Sequence, residues 1–153
     1  CFYNLVPCCA SCNLKKLTSE FSISPYDSSI EVDELFRFNY DLKSIHQPRI
    51  FIERQKSDKF DLLKQDLDNT GIIELYQVHS DVIEELLWKK EYYSKPYTER
   101  IKSLFQENGL KELTESEIKR FLTGVYTDSK EYGKRPLSKM VADISRNIGL
   151  IGE

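Results

Sequence analysis

The sequence predicts an α+β protein that is mainly helical. Two β-prone runs rich in aromatic residues lie between residues 35 and 53, and from residue 58 onward apolar residues recur at three- and four-residue steps. All four cysteines lie within the first twelve residues, so that segment differs in composition from the rest of the chain. We therefore expect an N-terminal motif over residues 1–21, a loop and two-stranded sheet over 22–57, and a helical domain of about five helices over 58–153.

The predicted sheet is an antiparallel pair of strands. The first strand is expected over Leu35–Leu42, which holds three aromatic residues, and the second over Pro48–Glu53 after a short polar link. The preceding stretch, Ser22–Asp33, contains Pro25 and several serines, a composition typical of a loop.

The first two predicted helices follow the sheet. One is expected from Asp58 to the stop at Gly71, because Phe60 and Leu67 fall on one helical face. The second is expected as a single long helix that is ended or interrupted by Pro96. Its apolar face is the clearest in the chain and consists of Ile72, Leu75, Tyr76, His79, Ile83, Leu86, Leu87 and Tyr93.

Three further helices are predicted in the C-terminal half. A helix over Tyr97–Gln106 is stopped by Asn108-Gly109. Thr114 followed three residues later by Glu117 matches a capping box, so a helix is expected to begin there. After a loop at residues 134–136, a last apolar stripe formed by Leu137, Val141, Ile144 and Ile148 ends at Gly149.

Composition and charge limit the classes of function. A net charge of −3 and a pI near 5.5 argue against a protein that binds nucleic acid over its whole surface, because such affinity comes mainly from Lys and Arg. No apolar run is long enough to span a bilayer and no leader peptide is visible, so we expect no membrane partner and a cytoplasmic location. The clustered cysteines favour metal binding in a reducing compartment over a disulfide framework.

Cys9 and Cys12 have the spacing at which one tight turn presents two thiolates to a zinc ion. A structural zinc normally takes four protein ligands, and the histidines of the chain, His46 and His79, stand alone. Cys1 and Cys8 are further candidates, although Cys8 adjoins Cys9 and cannot easily point the same way. Since the sequence opens on Cys rather than Met, we expect the missing zinc ligands in a segment that precedes it.

Residues 4–16 read N-L-V-P-C-C-A-S-C-N-L-K-K. The pattern N-L-V-P-x-C-x-x-C-N-x-x-K resembles the second strand and the helix of HNH endonucleases that carry a zinc-stapled ββα-metal motif. The resemblance covers about the first eighteen residues and includes only the second half of the motif. A looser similarity to the tails of some bacterial HNH proteins of restriction or anti-phage function involves Ile73–His79, Arg135–Met140 and Asp143-Ile144.

The resemblance implies a role for each matched residue. Asn4 corresponds to the asparagine that braces the loop between the strands, and Asn13 to the helix residue that helps hold the catalytic metal. An amide oxygen suits a hard cation, so Mg²⁺ or Mn²⁺ is expected there, while Cys9 and Cys12 correspond to the second pair of structural zinc ligands. The Asp-His pair that provides a metal ligand and the general base has no match, so this chain alone is expected to be inactive.

Lys15 and Lys16 follow Asn13 by about one helical turn and could neutralise a phosphate of the DNA substrate. Two other interpretations stay open. In the first, the cysteines form a non-catalytic zinc knuckle that binds nucleic acid or protein, Asn13 only caps a helix and the lysines are solvated. In the second, the helical part is a scaffold that docks a protein partner, which a large uncovered apolar surface between Ile72 and Tyr93 would favour.

Three weaker features remain in the helical part. His79 could be a ligand or a base, although a lone helical histidine is more often structural. Tyr92-Tyr93 with Lys89, Lys90 and Lys95 forms an aromatic and basic patch that could contact nucleic acid or could simply end a helix. A second basic cluster could be a DNA-facing edge, but a solvated loop is the more economical interpretation; its members are Lys130, Lys134, Arg135 and Lys139.

Overall fold

The computed structural model describes residues 10, 14, 20–24, 27, 29–42, 48–93, 95–109 and 111–152. It confirms a mainly helical chain with a small antiparallel sheet. The strands are β1 (Phe36–Leu42) and β2 (Pro48–Arg54), and a 3₁₀ helix spans Ser129–Lys134. The α-helices in the described residues are α1 (Val32–Leu35), α2 (Phe60–Thr70), α3 (Ile72–Gln77), α4 (Ser80–Tyr92), α5 (Lys95–Glu107), α6 (Glu115–Thr123) and α7 (Ser138–Asn147).

The two strands pair antiparallel, from Phe36 opposite Arg54 to Leu42 opposite Pro48. On each outer edge of this sheet, a side chain from a helix bonds to backbone groups of the strand. On β1, the Phe38 amide donates to Oδ2 of Asp143 at 2.9 Å. On β2, the Ile50 amide donates to Oε1 of Gln77 at 2.9 Å, and Nε2 of Gln77 donates to the Pro48 carbonyl at 2.8 Å. Unpaired strand edges invite pairing with another chain, and these contacts occupy part of each edge.

The helix α7 is the centre of the core. It packs against β1 and α4, and eight consecutive residues from Ser138 to Ser145 are buried. Its fully buried Met140 and Ile144 meet Ile83 and Leu86 of α4 in one hydrophobic cluster that also includes residues of both strands. A helix buried on nearly all sides also buries polar side chains, and an unpaired buried polar group is costly.

The prediction of one long helix from Ile72 to Tyr93 is wrong. The chain forms α3 and α4 instead, with Val78 and His79 between them. The apolar spacing continues through this break, but Val78 is 75% exposed and contributes nothing to the core. The two hydrogen bonds from Gln77 hold the end of α3 against β2, whereas α4 turns its own apolar residues toward α7. Tertiary contacts therefore override a periodicity that is correct on either side.

Other predicted boundaries hold. α2 ends at Gly71, whose φ of 62° is the left-handed conformation that glycine adopts without strain. The capping box at the start of α6 is present: Oγ1 of Thr114 accepts from the Glu117 amide at 3.3 Å, and Oε2 of Glu117 accepts from the Thr114 amide at 2.8 Å. Pro96 lies in the first turn of α5, where a missing amide hydrogen costs nothing.

Candidate functional site

None of the residues that the motif singles out belongs to the described part of the chain. Asn4, Cys9, Cys12, Asn13, Lys15 and Lys16 all lie outside it, as does His46. Leu14, within the predicted motif helix, is helical and 67% exposed. The roles assigned to these residues therefore stay predictions.

The chain enters the described body at a well-defined point next to this motif. The carboxylate of Asp66 on α2 accepts three hydrogen bonds, two from the Ser22 amide at 3.0 and 2.9 Å and one from the Ile23 amide at 3.0 Å. Asp66 is only 5% exposed, so its carboxylate is largely removed from water. The residues that directly follow the predicted motif segment are thus fixed to the helical part.

The densest group of charged side chains lies where α7 meets β1 and the 3₁₀ helix. We call it the interior charge cluster, and its members are Asp33, Tyr132, Lys139, Asp143 and Arg146. Three of them occur on α7 at positions i, i+4 and i+7, so they share one face of that helix. The other two come from α1 and the 3₁₀ helix.

Lys139 is the hub of the cluster. Its ammonium group donates to Oδ1 of Asp33 at 2.7 Å and to Oδ2 of Asp143 at 3.0 Å, and it lies 4.8 Å from the centre of the Phe36 ring. The Lys139 side chain is 9% exposed. The prediction that Lys139 belongs to a basic surface cluster is therefore wrong, because its ammonium group is paired inside the protein with two carboxylates.

Asp143 is the most deeply buried member, with a side chain only 1% exposed. Its Oδ2 accepts from Lys139 and from the Phe38 amide, whereas its Oδ1 has no hydrogen-bond partner among the described residues and lies 3.7 Å from a nitrogen of Arg146. Burial raises the pKa of Asp143, against the lowering effect of Lys139 and of the Phe38 amide.

Tyr132 and Arg146 close the cluster toward solvent. The Tyr132 hydroxyl donates to the Asp33 carboxylate at 3.2 Å and accepts from Arg146 at 3.3 Å, and the same guanidinium also donates to the Thr127 carbonyl at 2.5 Å. Burial raises the pKa of Tyr132 to about 12, and the neighbouring carboxylates of Asp33 and Asp143 add to the rise.

Two polar clefts flank the cluster, and Arg146 lines both of them. The larger has a volume of about 580 Å³ and includes Asp33, Lys119 and Asp128. The smaller has a volume of about 200 Å³ and includes Arg37, Asn39 and Asp143. Each contains acidic and basic side chains, and the carboxylates of Asp33 and Asp143 are paired with Lys139. These pairs form an ion-pair network that ties α7 to the sheet edge.

Of the remaining sequence candidates, the side chain of Lys95 lies outside the described part, and the others lie at or near the surface. His79 is exposed at the start of α4. Lys89 pairs with Glu85 at 2.6 Å, Lys90 donates to the Gly149 carbonyl at 2.7 Å, and Tyr93 stacks on Tyr97 with ring centres 4.8 Å apart. In the described part of the chain, no group of three or more His, Cys, Asp or Glu side chains is arranged to hold a metal ion.

Large apolar side chains are left uncovered along α3 and α4. Trp88 and Tyr92, one helical turn apart, are 70% and 72% exposed, and Leu75 is 42% exposed. Within the described residues, none of the helices combines the length and the apolar character needed to cross a membrane. No family model, curated protein or solved structure was found to match this chain.

Proposed function

We propose that this chain is part of an HNH-type endonuclease that hydrolyses DNA phosphodiester bonds with a divalent metal, in restriction or phage defence. The observation that carries the proposal is the run of residues 4–16, in which the asparagines and the Cys-x-x-Cys pair stand at the spacing of the resembled motif. The defence role rests on the looser similarity of the later segments and is the less specific part of the proposal.

Each donor fits the ion assigned to it. Cys9 and Cys12 supply two thiolates, which zinc prefers, whereas the Asn13 amide oxygen suits Mg²⁺ or Mn²⁺. When bound, the divalent ion stabilises negative charge on the phosphate and on the leaving oxygen. In the resembled family the general base precedes the position of Asn4, so the proposal requires an Asp-His pair there.

The test is cleavage of supercoiled plasmid by the full-length protein, with Mg²⁺ or Mn²⁺ and with a chelator as blank. Asn13→Ala should lower the cleavage rate at least about tenfold, as expected when a metal loses a ligand or its support. Asn69→Ala, at an exposed position near the end of α2, is the matched control and should cleave at the parent rate. Full activity of the Asn13 variant would refute the role given to that residue.

Zinc content decides between the proposal and its alternative, a non-catalytic zinc knuckle joined to a helical interaction domain. Parent protein should contain one zinc ion, and the Cys9→Ser, Cys12→Ser double variant should lose it. A zinc-loaded protein that carries the Asp-His pair and yet never cleaves DNA would support the alternative. The exposed Trp88 and Tyr92 favour a protein partner in that case, because large uncovered aromatic side chains often mark interfaces.

A further inference from the structure

Positive charge is concentrated in one short stretch of this acidic chain. Residues 119–135 contain five Lys or Arg and two acidic residues, a local charge of +3, while the whole chain carries −3. The stretch runs from the last turns of α6 through the 3₁₀ helix. Since a duplex nucleic acid attracts cations locally, one such surface is enough for contact even when the total charge is unfavourable.

Two of these cations share a single aromatic ring. The guanidinium carbon of Arg120 lies 4.4 Å from the centre of the Tyr126 ring, and Nζ of Lys134 lies 5.0 Å from the same point. Both charges are thereby held close together on side chains that are exposed. A cation against a ring keeps its charge and most of its hydrogen-bond donors, so both groups stay competent to bind an anion.

A third cation adjoins them. Arg135 donates from one guanidinium nitrogen to the carbonyl of Gly124, and the Gly124 amide donates to the Arg120 carbonyl at 2.8 Å. The partial negative charge at the end of α6 favours cations here, and one carbonyl engages only part of the Arg135 donor set. Among the described residues, neither Arg120 nor Arg135 forms an ion pair, whereas Lys134 pairs with Glu131.

We propose that Arg120, Lys134 and Arg135, brought together near the end of α6, form a surface that binds the phosphate backbone of duplex DNA. We call it the α6 cationic surface. The choice of DNA over another polyanion rests on the proposed function, whereas the surface itself rests on the geometry. Arginine guanidinium groups match phosphate in shape and charge, and neighbouring phosphates of a duplex supply the repeated negative charge that three clustered cations fit.

The test measures affinity for a short fluorescein-labelled duplex DNA in the presence of a chelator, so that no cleavage is involved. The full-length protein is compared with a triple variant, Arg120→Gln, Lys134→Gln and Arg135→Gln. Between about 50 and 200 mM salt, three lost phosphate contacts should flatten the slope of log affinity against log salt by about 2.7. At the lower salt concentration the affinity should fall at least about tenfold.

The control removes equal charge elsewhere on the surface. Lys56→Gln, Lys59→Gln and Lys64→Gln alter three exposed lysines before and within α2, and should change the affinity by less than about twofold. Equal weakening by both triple variants would mean that only total charge matters and would overturn the proposal. Circular dichroism verifies that each variant is folded.

A variant that should bind DNA more tightly keeps the proposal testable even if the triple variant misfolds. Glu131→Gln releases Lys134 from its carboxylate partner and should increase the affinity. Glu85→Gln releases Lys89 on α4 with the same change of charge and should increase it less. Equal effects of the two would overturn the proposal. Because binding is measured without metal, its outcome is independent of whether the protein cleaves DNA.

Discussion

Removing the carboxylate of Asp143 should be the most damaging single change in the interior charge cluster. Asp143→Ala takes one of two carboxylates from Lys139 and leaves the Phe38 amide at the β1 edge without its acceptor. Breaking a buried ion pair by removing one partner typically costs about 3–5 kcal/mol. That is a large part of the free energy of unfolding of an ordinary domain, which is about 5–15 kcal/mol.

Two further variants separate the contributions. Asp143→Asn keeps an acceptor for the Phe38 amide but lacks the charge, so a smaller loss of about 1.5–3 kcal/mol is expected. Lys139→Met alone leaves the buried Asp143 carboxylate with the more distant Arg146, at 3.7 Å, as its cation. The Asp143→Asn, Lys139→Met double variant removes both charges together, and should therefore be more stable than the sum of the single losses implies, by at least about 1 kcal/mol.

The assay is urea unfolding followed by circular dichroism, since Trp88 is too exposed to report on the core. Glu85→Ala breaks the exposed ion pair with Lys89 and serves as control, with an expected loss below about 1 kcal/mol. A loss below about 1 kcal/mol for Asp143→Ala, or strictly additive effects in the double variant, would refute the view that this cluster ties α7 to the sheet.

Two further predictions concern the sheet edge and the cluster at high pH. Gln77→Ala should lower the free energy of unfolding by about 1–3 kcal/mol, as measured by urea unfolding. It should also promote association through the uncovered β2 edge, as measured by light scattering. Gln65→Ala, at an exposed position on α2, should change neither quantity. The pKa of Tyr132 is raised to about 12 in the folded chain, so the folded state retains a proton that the unfolded chain loses near the ordinary tyrosine pKa of 10.0. The free energy of unfolding should therefore decrease as pH rises from 10 toward 12. Over the same pH range, the urea midpoint of Tyr132→Phe should decrease less than that of the parent protein.

Features of the fold that depend on neighbouring residues were predictable from sequence. The strand pair follows from two β-prone runs joined by a short link, and the α6 capping box follows from Thr114 and Glu117 three positions apart. Both depend on contacts within about twenty residues along the chain.

The interior charge cluster was not predictable in the same way. Lys139 bonds to Asp33, which is 106 positions away, and Asp143 bonds to the Phe38 amide across 105 positions. Nothing near Lys139 in sequence distinguishes it from the exposed Lys134. The available hint was the spacing of Lys139 and Asp143, four residues apart on a predicted helix, which permits an ion pair but does not show that it is buried.

The proposed nuclease motif and the α6 cationic surface can act on one DNA molecule only if the distance between them is maintained. Asp66 is the residue that sets where the chain leaves the helical part, because its buried carboxylate holds the Ser22 and Ile23 amides at 2.9–3.0 Å. Residues 1–21 join the described body directly before this anchor. A charge-assisted contact to a buried carboxylate is screened less by salt than one between exposed groups. The point at which the chain joins the helical part is therefore fixed by Asp66.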